Sequence, residues 1–120
     1  MNGPMGMWSA TVDLPHGTAT VELGFFGDGT AAVWTGTGTA SGTGTWTSTG
    51  AGRFAYRLVE PLPGGCVVVN QSGRHAEDGF SSSGTTQVFD HSGHLERWSA
   101  TRVDAVPLRT RPGAGVRSTA

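Results

Sequence analysis

Threonine recurs at every second position through most of residues 33–49, VWTGTGTASGTGTWTST. All seven threonines of this segment are odd-numbered, and the even positions hold Trp, Gly, Ala and Ser. Strand side chains alternate between the two faces of a sheet, so this parity indicates paired strands and not a linker. We predict a hairpin with the loop Ala40–Gly42, a threonine ladder facing solvent, and glycines beside Trp34 and Trp46 on the inner face.

The neighbouring segments alternate in the same way. Asp28 and Gly29 are a signal for a two-residue hairpin turn, and pairing across that turn places Leu23 opposite Trp34. Pairing across residues 50–52 places Tyr56 opposite Trp46. Both registers put the apolar side chains on one face, which we predict to be the inside of a curved sheet.

The whole chain divides into eight such segments, the later ones at 53–61, 66–72, 80–90 and 94–106, with a loop at 73–79. Eight antiparallel strands in up-and-down order can close into a barrel without exposed edges. We therefore predict an all-β protein, a single barrel domain over residues 1–106, with a disordered tail at 107–120. An open sandwich is the alternative.

Composition limits the partners. The net charge is −1, which argues against binding to nucleic acid or to an anionic membrane. The single cysteine, Cys66, excludes an intrachain disulfide and suits a buried apolar position. We see no signal peptide and no apolar run of membrane-spanning length, so the expected location is the cytoplasm.

Residues 6–8, Gly-Met-Trp, resemble the Gly-x-Trp that opens the first strand of lipocalins and other calycins. In that superfamily an arginine near the end of the last strand packs across the tryptophan. Arg102 matches it here, with Arg97 as the second choice. The chain is shorter than most lipocalins and lacks their cysteines. It is also similar to small lipocalin-like and allene-oxide-cyclase-like barrels of high-GC bacteria.

The inner face of this predicted barrel defines the candidate site. Glycines at 36, 38, 42 and 44 would leave room there for a ligand. Glu60 is the carboxyl of that face, a candidate general acid if buried, although it precedes Pro61 and could lie at the rim in water. Tyr56 would offer a hydrogen bond to a ligand carbonyl. The candidate ligand contacts are Leu23, Trp34, Trp46, Phe54, Tyr56 and Leu58, and the candidate catalytic residues are Glu60 and Tyr56.

Three functions fit these observations. The first is binding of a hydrophobic small molecule inside the barrel. The second, implied by the cyclase resemblance, is cofactor-free cyclisation of a natural-product intermediate, although no catalytic motif of such enzymes matches residues here. The third is a structural or oligomerising protein with a packed core. A homodimer through the threonine face is compatible with all three. Asp90, His91 and His94 lack a further metal ligand at a defined spacing, so we predict no metal and no cofactor.

Overall fold

The computed structural model describes residues 4–108, which form a closed barrel of eight antiparallel strands, each hydrogen-bonded to its neighbours in sequence order. This confirms the predicted fold class, and strand number, order and closure are consistent with a calycin-like barrel. No helix in this part of the chain is long and apolar enough to cross a membrane. The strands are β1 (Gly6–Leu14), β2 (Gly17–Phe25), β3 (Thr30–Trp34), β4 (Gly42–Gly50), β5 (Arg53–Leu62), β6 (Gly65–Ala76), β7 (Gly79–Asp90) and β8 (Leu95–Pro107).

The register of β4 against β5 is the predicted one. Trp46 pairs with Tyr56, Ser48 with Phe54 and Gly44 with Leu58. The threonines of β4 at 43, 45, 47 and 49 are exposed on the outer face, as their parity predicts.

The turn between β2 and β3 differs from the prediction by one residue. Phe26 N–H donates to the carbonyl of Thr30, which closes a three-residue turn over residues 27–29 and not a two-residue turn. Phe25 therefore pairs with Ala31 and Leu23 with Val33. A shift of one residue turns every side chain of a strand to the other face. The prediction that Trp34 faces the interior is therefore wrong.

Trp34 instead lies on the outer face, opposite Glu22. A Cβ on Gly24 would come within 3.2 Å of Trp34 Cζ3 and within 3.0 Å of atoms of Met7 and Phe26. These three side chains thus cover Gly24 from outside, which accounts for the partial burial of Trp34.

The predicted threonine ladder across residues 35–47 does not form. β3 ends at Trp34 and pairs with β4 through Val33 and Gly42, which leaves residues 35–41 as a seven-residue loop. Ser41 holds the base of this loop, because its hydroxyl bonds to the N–H of Thr35 at 2.9 Å. The homodimer was expected to form through that ladder, so its expected contact surface is absent. The homodimer itself stays a prediction.

Two strands of the second half are longer than predicted. Residues 73–76 and 79 continue β6 and β7, so the loop expected at 73–79 is only the turn Glu77–Asp78. β8 reaches Pro107, and Leu108 N–H continues the ladder to the carbonyl of Met7. The tail predicted beyond this point lies, from residue 109, outside the described residues.

One end of the barrel is filled with aromatic rings. We call it the closed end; it carries the turns at 26–29, 51–52 and 77–78. Trp8 donates its indole N–H to the carbonyl of Pro4 at 2.7 Å and packs edge-on against Phe80. The opposite end, which we call the open end, carries loop 35–41 and the turns at 15–16, 63–64 and 91–94.

The arginine expected to cover Trp8 lies elsewhere. Arg102 is opposite Asp13 and Ser83 on the outer face, and its side chain is 62% exposed and bonded to Asp104. Arg97, the second choice, is exposed at the open end. The ring of Phe80 packs against Trp8 in place of an arginine.

Candidate functional site

The interior of the barrel contains a cavity of about 210 Å³ near its open end. Its walls are mostly valine, leucine, alanine and threonine, whereas the closed end is filled by tryptophan, phenylalanine and tyrosine rings. The interior of an eight-stranded barrel is just wide enough for large side chains to fill, so the smaller side chains at this end leave a hollow. The lining residues are Val12, Leu14, Ala19, Val21, Leu23, Val33, Thr35, Tyr56, Leu58, Glu60, Val69, Thr86, Thr101 and Val103.

A chain of polar side chains crosses the barrel between the aromatic end and the cavity. Ser82 donates its hydroxyl proton to Gln71 Oε1 at 2.8 Å, and Gln71 Nε2 donates to Thr101 Oγ1 at 2.9 Å. Because the single proton of Ser82 is used in this way, Tyr56 donates to Ser82 Oγ at 2.9 Å. Each buried group therefore has a partner, and the polar chain forms a satisfied floor to the cavity.

Tyr56 acts in this network as a hydrogen-bond donor. Burial raises the pKa of its phenol well above the ordinary value, and the hydrogen bond between the Tyr56 and Ser82 hydroxyls only partly offsets this. The phenol therefore stays protonated in neutral solution, with its proton directed at Ser82. It orients the floor of the cavity and is unsuited to act as a base.

Glu60 is the carboxyl side chain that lines the cavity. It lies near the end of β5, and burial raises the pKa of this carboxyl above its ordinary value of 4.5. The side chain is half-buried, so the carboxyl lies between the apolar wall and solvent. It can accept a hydrogen bond from a ligand or, when protonated, donate one.

Replacing Glu60 with glutamine should raise the stability of the barrel at neutral pH. The raised pKa means that the folded state disfavours the ionised carboxyl, so stability of the wild type falls as pH rises above 4.5 and levels off above the folded-state pKa. Because Glu60→Gln has no ionisable group at this position, its stability does not fall in this pH range. Its midpoint of thermal unfolding should exceed that of the wild type at about pH 7 and match it at about pH 4.

Glu22→Gln, at an exposed position of the outer face, is the control for this experiment. From about pH 4 to about pH 7, the midpoint of thermal unfolding relative to the wild type should rise more for Glu60→Gln than for Glu22→Gln. An equal difference at both pH values would contradict a buried, destabilised carboxylate at residue 60.

The structure divides the ligand contacts expected from the sequence into three groups. Leu23, Tyr56 and Leu58 line the cavity, and so does Glu60. Trp46 and Phe54 point inward but belong to the packed closed end: Trp46 bonds to the carbonyl of Phe26, and Phe54 is fully buried among rings. Trp34 lies on the outer face, because the β2–β3 turn is one residue longer than predicted.

The glycines expected to leave room for a ligand do not do so. Gly36 and Gly38 belong to loop 35–41. At Gly42 and Gly44 the backbone of β5 occupies the space of the missing side chains, because a Cβ on Gly44 would overlap the carbonyl oxygen of Arg57. The hollow space comes instead from the small residues of the other strands.

Several lining residues were missing from the expected site. Val12, Leu14 and Val21 alternate with polar residues along β1 and β2, so strand parity places them on the inner face. Val33 and Thr35 were not expected in the site, because the predicted register of β2 against β3 placed them on the outer face. Val69, Thr86, Thr101 and Val103 come from strands whose relative register the sequence left open, so only the closed barrel brings them to the same height.

No group of three or more metal-ligating side chains occurs within residues 4–108. Asp90 and His94 approach each other, with Oδ2 and Nδ1 3.6 Å apart. The other carboxylate oxygen of Asp90 accepts the backbone N–H groups of Ser92 and His94 at 2.9 Å. This carboxylate therefore holds the turn between β7 and β8.

Comparisons with known proteins give no relative for this chain: no family model matches its sequence, and no curated protein or solved structure is significantly similar to it.

Proposed function

We propose that this barrel binds a small hydrophobic molecule in the cavity at its open end. The observation that carries the proposal is the hollow of about 210 Å³ with apolar walls beside a fully bonded polar floor. The apolar side chains that face this hollow lack van der Waals contacts on that side. A resident ligand would recover the lost contacts.

The volume limits the size of the ligand. An apolar cavity of about 150 Å³ accepts benzene, so 210 Å³ suits a molecule of about ten non-hydrogen atoms. Glu60 favours one polar group, a hydroxyl or an amine, directed at the carboxyl while the apolar part rests on Leu23 and Leu58. A small amphiphile of this kind is the ligand class that we infer.

Binding is tested with p-cresol, indole and 1-octanol, three amphiphiles of the inferred size. Methyl NMR signals of Val21, Leu58 and Val69 should shift in a saturable way, and that of Val106, 56% exposed on the outer face, should not. If none of the three compounds moves the cavity methyls, the proposal fails.

A pair of matched variants locates the binding. Val21→Phe adds a ring inside the cavity and should weaken binding at least tenfold, about 1.4 kcal/mol. Val106→Phe adds the same ring outside and should leave binding unchanged. Equal binding by both variants would place the ligand elsewhere.

Cofactor-free catalysis in the same cavity is a second candidate, favoured by the raised pKa of Glu60. A protonated carboxyl beside an apolar wall can donate a proton to a bound substrate. The small cavity restricts such a substrate to one ring or a short chain, which disfavours the cyclisation of a large intermediate. Conversion of a bound compound by the wild type, lost in Glu60→Gln while binding persists, would support this candidate over simple binding.

A further inference from the structure

Three arginines surround a groove on the outer face of the barrel, near the closed end and away from the interior cavity. Arg53 on β5 and Arg74 on β6 are direct cross-strand partners. Arg102 reaches the same groove from β8, and the groove encloses about 440 Å³. We propose that this groove binds a doubly charged oxyanion, the phosphate group of a small molecule.

The pairing of Arg53 with Arg74 is the first argument. Like charges directly opposite each other on neighbouring strands destabilise a sheet. Neither arginine forms an ion pair with a carboxylate in the part of the chain that the structure describes. The two guanidinium groups are thus available to an anion, whose charge would offset their repulsion.

Hydroxyl groups between the arginines are the second argument. Ser72 and Ser83 are cross-strand partners on β6 and β7, and both face outward into the groove. Neither hydroxyl makes a hydrogen bond to another side chain among residues 4–108. Guanidinium forks bind two oxygens of a phosphate or sulfate at once, and serine hydroxyls can donate to the remaining oxygens.

Two carboxylates, Asp13 and Asp104, lie beside Arg102 on the outer face, and Asp104 forms an ion pair with it. Asp104 accepts a hydrogen bond from Arg102 Nε at 3.1 Å and another from Ser81 at 2.7 Å. Asp104 therefore fixes the position of Arg102 at the edge of the groove. Arg53 and Arg74 remain as the two uncompensated charges, which match an anion of charge −2.

The size of the groove and the charge of the chain define the class of ligand. The groove is open to solvent, so it can accommodate an anionic group that is part of a small organic molecule. The net charge of −1 provides no extended positive field for a polyanion such as nucleic acid.

The test measures binding of inorganic phosphate and, separately, inorganic sulfate by calorimetry at constant ionic strength. The wild type should bind one of them with a Kd of about 1 mM or tighter. The double variant Arg53→Gln/Arg74→Gln should bind at least tenfold more weakly. Arg97→Gln removes one positive charge at the opposite end and should change the Kd by less than twofold.

A second readout separates this role from a structural one. Without added anion, the double variant should unfold at the same temperature as the wild type or higher, because a repulsion is removed. With phosphate or sulfate, only the wild type and Arg97→Gln should gain stability in a saturable way. Ser72→Ala/Ser83→Ala should weaken binding while keeping the barrel folded.

Three results would overturn the proposal. One is that the wild type binds neither anion in a saturable way with a Kd of about 1 mM or tighter. Another is equal weakening by Arg97→Gln, which would indicate attraction to charge in general. The last is unchanged binding by the double variant. None of these bears on the interior cavity, so this site and the proposed ligand site stand or fall separately.

Discussion

Replacing Gly44 with alanine is expected to destabilise the barrel by about 3 kcal/mol or more. An added Cβ would overlap the carbonyl oxygen of Arg57 and lie 2.7 Å from its carbonyl carbon. These are backbone atoms of the neighbouring strand, so no side-chain rotation relieves the overlap. β4 and β5 would have to separate, at the cost of hydrogen bonds on both sides of the residue.

Gly36→Ala is the matched control, since it makes the same substitution in the same glycine-rich segment. Nothing lies within 4 Å of a Cβ at this loop position. Its free energy of unfolding should be unchanged or higher by up to about 1 kcal/mol, because alanine restricts the unfolded chain. Urea denaturation at 25 °C measures both changes. A Gly44→Ala protein as stable as Gly36→Ala would show that the strands do not need to approach so closely.

Truncating Phe54 to alanine should lower the free energy of unfolding by about 3–5 kcal/mol. The side chain is fully buried at the closed end and packs against four rings, with centroids 5.7 Å from Phe25, 5.7 Å from Tyr56, 5.2 Å from Phe80 and 5.8 Å from His75. The rings around it belong to four further positions of a closed sheet, so the space cannot collapse fully. The midpoint of thermal unfolding should fall by about 15 °C or more.

Phe26→Ala removes the same side chain at a position where it is 39% exposed. Its cost should be about 1 kcal/mol, since only part of the ring leaves an apolar contact. Differential scanning calorimetry of both variants gives the comparison. Similar losses in the two would mean that the aromatic end is loosely packed, and the distinction between a closed and an open end would have to be abandoned.

Strand parity predicted much of this fold because it depends only on which residues are apolar. The β4–β5 register, the outward threonines of β4 and the inward Tyr56, Leu58 and Glu60 all follow from it. Parity failed where a turn length decided the face. Residues 27–29 form one turn of three residues, closed by Phe26 and Thr30, and this single extra residue moved Trp34 to the outside.

The position of a side chain along the barrel axis was harder to predict than the face of the sheet on which it lies. Trp46 and Phe54 face inward as expected, yet they belong to the packed end and not to the cavity. The position along the axis depends on the stagger of all eight strands, including β6 to β8, whose turns lack a distinctive sequence signal. The floor of the cavity joins Gln71, Ser82 and Thr101 from these three strands, so the sequence alone could not assemble it.

The brevity of β3 has a consequence for exchange between the cavity and solvent. Only Glu22–Phe25 of β2 pair with β3, so residues 17–21 have no strand partner on that side. Ala19 and Val21, in this unpaired stretch, line the cavity together with Thr35 at the base of loop 35–41. On the β3 side of residues 17–21 the cavity wall is therefore not a hydrogen-bonded sheet. We expect molecules to enter and leave through the side of the barrel, at a rate governed by loop 35–41, so that residence time and affinity can change independently of each other.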